Sequence, residues 1–488
     1  MKRIYLAVLI LIAAPAVRAA KWGNSTGQTN EEDEAFSSAA AMFQDTGRDK
    51  MAVVQTFENY VQQFPNSQRY ADAQFMIGDA YMQYALGILK AEASGKKNSL
   101  ARLMAPKNPA AVKALDNARR AFDQISSDKK TGIAPSAQYR LGEVYYNEKD
   151  WMRAVQEFKE IEKKFPKSYV VGEALMGVIF SDLALEQFSQ AEANLFLLGE
   201  TFPTYLREPA VLYAQGIVAL HKGDYSNAEK ALKLVKTDEA QYYLGKTYLL
   251  SKRAYLAAAA FENLLRDYPN SDLKEEAQFF IGDSFFLAED YDGAISKYQR
   301  FISLYPESPL RVSATFRIGS SYFQKKDYVE ARANFQAVLD RYPRDFFAPL
   351  AQYCIAESHL VSGQVREALF AYTKVITQYP ETIKVSPLAH FKLAWTQFQV
   401  GDFKQSIQTG ENFLALYPTN ALAKNVYLIM GNAMIKLNRH VEAMSAFQRI
   451  IDLAPSSDVA EQALFSILQD QFNQKAYNSI LTSYQYIF

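Results

Sequence analysis

Histidine and cysteine are the residues that most readily hold a metal ion or act as nucleophiles, and this chain of 488 residues has only five of them. A protein metal site needs three or four ligands that meet at one point. The four histidines stand at different places in the repeating units of the sequence, which predicts that they do not meet at one metal site. They are His221, His359, His390 and His440. Cys354 lies among apolar neighbours and has no second cysteine to pair with, so we expect a buried, structural thiol.

Other signatures of catalysis are missing from the sequence. It contains no glycine-rich phosphate loop, no nucleophile elbow and no zinc-binding helix motif. Carboxylate pairs such as Glu31-Glu32 and Glu275-Glu276 are numerous, but solvated charge on an exposed face is their ordinary explanation. The sequence therefore predicts no catalytic residue, no metal and no cofactor.

An aromatic residue recurs at a constant distance before the proline of a repeating Tyr-Pro or Phe-Pro pair, and we call this row the ladder. Two of its members, Phe75 and Tyr213, stand in units that lack the matching proline. The ladder comprises Phe75, Tyr139, Tyr213, Tyr242, Phe279, Phe316, Tyr353 and Phe391. One helical turn further along, several units carry an acid, at Asp79, Glu143, Asp283 and Glu357. Two interpretations remain open: the rings anchor an extended peptide or a sugar chain in a groove edged with acid, or they pack between adjacent helices.

The prolines that set this register show what must position the ladder. They are Pro166, Pro203, Pro269, Pro306, Pro343, Pro380, Pro418 and Pro455. The intervals between neighbours are equal to within one position, except for the interval between Pro203 and Pro269, which spans two units. Regular spacing of this kind is typical of an array of like structural units. Shortly after most of these prolines stands a residue that favours helix caps, such as Ser168 or Ser271, whereas Tyr205 departs from the rule.

Small and aromatic residues also stand at fixed places before each proline. In the unit that ends at Pro166 these are Gly142, Ala154 and Phe158. An aromatic residue that follows a polar turn is predicted to open the second helix, at Trp151, Phe188, Tyr291, Tyr328 and Phe403. Small residues let two helices approach closely and the aromatic residue fills the space beside the contact, which predicts an antiparallel helix pair. Proline then ends the second helix because it lacks the amide hydrogen.

These landmarks resemble the tetratricopeptide repeat, with a unit about three residues longer than the usual ~34. The resemblance implies an all-α fold, an α-solenoid that winds as a right-handed superhelix of about eleven to twelve helix-turn-helix repeats over residues 35–488. In such a solenoid each pair buries its apolar face against its neighbours. The sequence stops at Phe488, shortly before the next Tyr-Pro would fall, so we expect the last repeat to be incomplete.

The first residues indicate export. Lys2 and Arg3 precede the apolar run 4–14, and small residues at Val17 and Ala19 suit a signal peptidase, which predicts a signal peptide over residues 1–19. Residues 20–34 are polar and are predicted to form a flexible lead-in. No cysteine follows the cleavage site, so we expect a periplasmic protein without a lipid anchor.

Residues 90–109 are predicted to form an irregular basic insert between two helices. The insert holds Lys90, Lys96, Lys97, Arg102 and Lys107 against one acid, Glu92. Such a loop either contacts an acidic partner or anionic lipid head groups, or is merely solvated, and the sequence leaves both open.

The region around the insert has a narrower resemblance. Residues 79–82, the long loop, Asn108-Pro109 and residues 118–122 are similar to the corresponding stretch of the outer-membrane assembly lipoprotein family BamD, over roughly residues 35–203. This resemblance implies a periplasmic repeat scaffold that holds barrel-assembly components together. The absent lipid-bearing cysteine and about twice as many repeats depart from that family, so only the class of function is carried over.

Charge composition narrows the class of partner. Lys plus Arg equals Asp plus Glu, with a net charge of +0, which argues against nucleic acid. We therefore expect a non-enzymatic periplasmic scaffold that binds protein or peptide partners of the bacterial cell envelope, in outer-membrane protein assembly or a related process, with peripheral contact to the outer membrane. One alternative is the helical domain of an envelope enzyme of the lytic transglycosylase type, whose catalytic part lies beyond Phe488. Another is an exopolysaccharide-export scaffold that binds glycan.

Overall fold

The computed structural model describes residues 31–45, 47–95, 106, 108–128, 131–476 and 479–480, and its regular elements there are helices. In that part of the chain they form eleven helix pairs and the first helix of a twelfth. The first helices are α1 (Glu31–Gln44), α3 (Tyr70–Gly95), α5 (Ala134–Asn147), α7 (Val171–Ala184), α9 (Pro209–His221), α11 (Asp238–Leu250), α13 (Lys274–Leu287), α15 (Arg311–Gln324), α17 (Phe347–Val361), α19 (Ser386–Gln399), α21 (Ala423–Lys436) and α23 (Asp458–Asn473). The second helices are α2 (Lys50–Gln63), α4 (Pro109–Ser126), α6 (Trp151–Lys164), α8 (Phe188–Thr201), α10 (Tyr225–Leu232), α12 (Ala254–Asp267), α14 (Tyr291–Leu304), α16 (Tyr328–Arg341), α18 (Val365–Gln378), α20 (Phe403–Leu416) and α22 (His440–Leu453).

A tight turn joins the two helices of a pair. In the third pair Lys149 adopts a left-handed conformation with a φ of 67°, and the carboxylate of Asp150 then accepts from the backbone amide of Arg153. Asp290, Asp327 and Asp402 cap later second helices in the same way. The aromatic residue predicted to open the second helix is its first residue in α6, α8, α14, α16 and α20.

The capping role predicted after each proline is only partly correct. Ser271 accepts from the amide of Leu273 at 3.0 Å and Asn420 accepts from that of Leu422 at 2.9 Å, before α13 and α21 begin. These side chains stabilise the linker turn, because a short polar side chain readily bonds a nearby amide of its own chain. Ser457, by contrast, caps α23 directly. At Tyr205 the linker forms a 3₁₀ helix, Pro203–Arg207, which brings the Tyr205 ring against Gly172.

The chain divides into two compact units, Met1–Ser284 and Phe285–Phe488, with the boundary inside α13. In unit 1 each helix from α1 to α11 packs against the next helix in sequence, and in unit 2 each helix from α14 to α22 does so. First helices also contact each other, as α3 and α5 do in unit 1 and α19 and α21 in unit 2. The core consists of the predicted small and aromatic residues, among them Ala154, Phe158 and Phe335, all at most 1% exposed.

Two predicted boundaries are wrong. Helix α1 begins at Glu31, inside the predicted lead-in, because four acids at residues 31–34 occupy its first turn and interact favourably with the helix dipole. Helix α3 continues to Gly95, so Lys90 lies on a helix and not in an irregular insert. Lys96, Lys97, Arg102 and Lys107, the signal peptide and residues 20–30 lie outside the described residues. In the described part, no helix is long and apolar enough to cross a bilayer.

Candidate interaction surface

The ladder lies in the core and does not line an open groove. Tyr139 packs against the ring of Phe158 at 5.4 Å between centroids, and Phe316 against Phe335 at 5.2 Å. Six members are buried, with exposures of 7% or less: Phe75, Tyr139, Tyr213, Tyr242, Phe279 and Phe316. Tyr353 and Phe391 are half-buried and pack against the core of unit 2. Of the two interpretations left open by the sequence, packing between helices therefore describes the six buried rings, because each is enclosed by neighbouring helices.

Two of the predicted groove-edge acids share one buried cation. Arg140 on α5 donates to Asp79 on α3 at 2.8 Å and to Glu143 at 2.6 Å. Burial lowers the pKa of Arg140, but the two carboxylates outweigh it, so the pKa is raised and the guanidinium stays charged. Through Arg140 the two acids thus join adjacent first helices.

The other two acids are also engaged by cations of a neighbouring first helix. In unit 1, Lys246 lies 4.0 Å from the centre of the Phe280 ring and is attracted by Asp283, although burial lowers its pKa. In unit 2, Lys392 donates to Glu357 at 3.2 Å, and the hydroxyl of Tyr372 donates to the same carboxylate. The row of acids is therefore an array of contacts between repeats.

Cys354 and the histidines have local structural partners. Burial raises the pKa of the Cys354 thiol to about 12, which leaves it protonated and unreactive at neutral pH. His221 stacks on Phe188 at 3.7 Å between ring centres, and His440 lies 2.9 Å from a carboxylate oxygen of the buried Asp470. Among the residues that the structure describes, no group of three or more histidine, cysteine or acidic side chains is placed to hold a metal ion.

Apolar side chains on the first-helix face become accessible towards the end of unit 2. Leu388 and Trp395 on α19 are 40% and 37% exposed, and they lie two helical turns apart on one side of the helix, flanking Phe391. On α23, Phe465 is 66% exposed at the ladder position, two repeats after Phe391. We call Leu388, Trp395 and Phe465 the distal face. Sequence reasoning missed it, although Trp395 stands where other repeats carry an acid.

At the second position of the second helices, exposed apolar residues are interrupted by polar ones. Met152, Tyr255, Val329 and Val441 are each the second residue of their helix and are 57–82% exposed. In the intervening repeats the same position holds Ser189, Asp292, Arg366 or Lys404. Single apolar residues separated by polar ones are normal on a protein surface.

Comparisons with known proteins identify the repeats. Two family models, both described as tetratricopeptide repeat, match the chain, one at residues 244–309 and 281–346 and the other at residues 136–168, 350–382 and 425–457. Among curated proteins no significant match was found. A solved structure described as "Crystal structure of MamA protein" is similar at 17% identity, with a TM-score of 0.32, over 38% of this chain and 94% of that chain. The predicted all-α solenoid of tetratricopeptide repeats is confirmed; the resemblance to BamD stays a prediction.

Proposed function

We propose that this protein is a non-enzymatic interaction scaffold that binds protein partners through the distal face of its C-terminal repeats. Tetratricopeptide repeats commonly mediate contacts between proteins. The observation that carries the proposal is the exposure of Trp395 and Phe465 on a helix face that earlier repeats fill with buried rings and ion pairs. Large aromatic side chains of this kind supply much of the energy of protein interfaces.

The helices that present the distal face are already ordered by their own packing. Trp395 projects from a helix whose other side is held by Leu393 and Ala394, which are 3% and 0% exposed. A preformed surface loses little conformational entropy on binding, so a modest number of contacts supports useful affinity.

We further propose that the scaffold works in the periplasm at the inner side of the outer membrane. Support comes from the sequence before residue 20, with Lys2, Arg3, the apolar run and the small residues that precede the predicted cleavage after Ala19. Outer-membrane protein assembly is the process that the BamD resemblance favours. An intact mass measured on the protein from an envelope fraction tests this part: loss of residues 1–19 without added lipid supports it, and a retained leader contradicts it.

Glycan is a second candidate ligand, which the exposed indole of Trp395 favours because flat aromatic rings suit the apolar faces of sugars.

Co-purification from an envelope fraction distinguishes a protein partner from a glycan. We expect Trp395→Ala to reduce recovery of partner proteins about tenfold or more, while Val441→Ala, on a second helix, leaves recovery unchanged. Recovery that is unaffected by Trp395→Ala would contradict the proposed surface, and material sensitive to glycosidase but not to protease would favour glycan.

A further inference from the structure

A depression of about 500 Å³ opens on the first-helix face of unit 2, between α21 and α23. We call it the α21–α23 pocket. It is lined by Leu428, Asn432, Asp458, Glu461, Gln462, Phe465, Ser466 and Gln469. Its volume falls within the range of ~300–1,000 Å³ that is usual for ligand sites.

The pocket lies beside two positions that hold aromatic rings in part of unit 1 and smaller side chains here. At two places in unit 1 a ladder ring meets a ring on the next first helix: Tyr213 meets Tyr243 at 5.9 Å and Tyr242 meets Phe280 at 6.0 Å. In unit 2 the corresponding pairs are Phe316 with Cys354, Tyr353 with Lys392 and Phe391 with Ile429. The same positions one repeat later hold Leu428 and Ser466.

In the pair Leu428 and Ser466, neither side chain is aromatic. Ser466 stands at the position that Phe280 has in unit 1, and its side chain is much smaller than a phenylalanine ring. The result is a space, next to the exposed ring of Phe465, that can accept an aromatic side chain from outside.

The lining combines apolar, amide and acidic groups. Leu428 and Phe465 offer apolar contact, and edge-to-face or offset stacking on Phe465 would favour another ring. Asp458 and Glu461 are exposed lining residues, and no lysine, arginine or histidine is among the described residues that line the pocket. A cation beside the incoming ring would therefore be attracted, and an anion repelled.

We propose that the α21–α23 pocket binds an aromatic side chain of a partner polypeptide that has lysine or arginine next to it in sequence. This inference rests on the proposed scaffold function and names the chemistry of the segment that the distal face selects. The side-chain amides of Asn432, Gln462 and Gln469 provide donors and acceptors for the backbone of that segment.

Isothermal titration calorimetry of the full mature chain with two short peptides tests the proposal. The probes are acetyl-Gly-Lys-Phe-Lys-Gly-amide and the same peptide with glutamate in place of both lysines. We expect the lysine peptide to bind at least tenfold more tightly than the glutamate peptide. Absence of binding by both, or equal affinity for the two, would overturn the proposal.

Two variants locate the binding. Ser466→Phe restores a ring at the position of Phe280 and is expected to reduce affinity for the lysine peptide at least tenfold, with an unchanged helical circular dichroism signal. Glu461→Lys, a change at an exposed residue, is expected to reverse the preference towards the glutamate peptide. The control Val441→Ser, on α22, is expected to bind as wild type does. Unchanged binding by both Ser466→Phe and Glu461→Lys would place the site elsewhere.

The peptide titration also tests whether something else occupies the α21–α23 pocket. Peptide binding that appears only after residues 481–488 are deleted would show that the chain's own end fills the pocket, and the proposal would be wrong. If envelope partners still co-purify in a Trp395-dependent manner while neither peptide binds, this inference fails and the scaffold function stands. Failure of both experiments would remove the scaffold function as well.

Discussion

The ring of Phe158 occupies the space beside the backbone of Gly142, so closely that a Cβ atom on Gly142 would lie 2.5 Å from Cε1 of the ring. Gly177 on the next first helix meets the other edge of the same ring, with a corresponding distance of 2.7 Å. One aromatic side chain thus joins two successive repeats, and the lack of a side chain at both glycines is what lets the three helices meet.

Adding a methyl group at Gly142 should therefore destabilise the protein. Gly142→Ala is expected to lower the free energy of unfolding by about 1–3 kcal/mol through overpacking, despite a gain of up to about 1 kcal/mol in helix propensity. The control is Gly87→Ala on α3, where a Cβ would meet nothing within 4 Å, and that change should be neutral or stabilising. Thermal and chemical unfolding of both variants check the prediction; equal effects would contradict it.

Loss of a buried ladder ring should affect folding before it affects binding. Phe316 is 7% exposed and packs against Phe335, so Phe316→Ala is expected to cost about 3–5 kcal/mol. Phe465 stands at the same position of a later repeat but is 66% exposed, so Phe465→Ala should change stability by less than about 0.5 kcal/mol. Hydrogen exchange resolved by repeat distinguishes them, since repeat arrays can unfold locally. A well-folded Phe316→Ala with lost partner binding would instead support the groove interpretation.

The shared cation between α3 and α5, Arg140, gives a further stability prediction. Arg140→Met leaves Asp79 and Glu143 buried without a counter-charge, and we expect a loss of about 3–5 kcal/mol. The matched control is Arg120→Met, which removes a 73% exposed partner of Asp116 and should cost less than about 1 kcal/mol. Comparable losses in the two variants, measured by urea unfolding, would show that the buried pair has no special role.

The lowered pKa of Glu229 predicts that the protein loses stability at acid pH. Lys233 and Arg253 each donate to its carboxylate at 2.6 Å, and these bonds lower its pKa from 4.5 to about 2. Because the folded pKa is the lower one, the stabilisation is complete above pH 4.5 and is lost as the pH falls towards 2. The free energy of unfolding of the wild type should exceed that of Glu229→Gln by roughly 1 kcal/mol near neutral pH. This difference should shrink as the pH falls from 4.5 towards 2. A difference that is constant from pH 6 to 3 would be inconsistent with this assignment.

The period of the prolines was enough to predict the helix pairs, because stop signals, turn residues and small-aromatic spacing all act within about one repeat. The starts of α6 at Trp151 and α20 at Phe403 follow from those local signals. The end of α3 does not, since nothing after Leu89 forbids another turn and a half of helix.

The function of the ladder was harder to predict, because a row of aromatic residues marks a contact face but does not show whether the contact is with a partner or with a neighbouring helix. Tyr139 is buried because Phe158, on the following helix, lies against it, and that contact depends on how the second helix folds back. Trp395 departs from the repeat pattern, since other repeats carry an acid at its position, and that departure was the better signal. Phe465 keeps the ladder position, so the sequence pattern does not distinguish its 66% exposed ring from the buried rings.

Binding of partners to the distal face can be tested with a photo-reactive amino acid placed at residue 395 in the protein, produced in its native cells. Residue 441 on α22 is the control position. We expect protease-sensitive crosslinked species from residue 395 and none from residue 441. Crosslinks from residue 441 alone, or from neither residue while the partner still co-purifies, would contradict it.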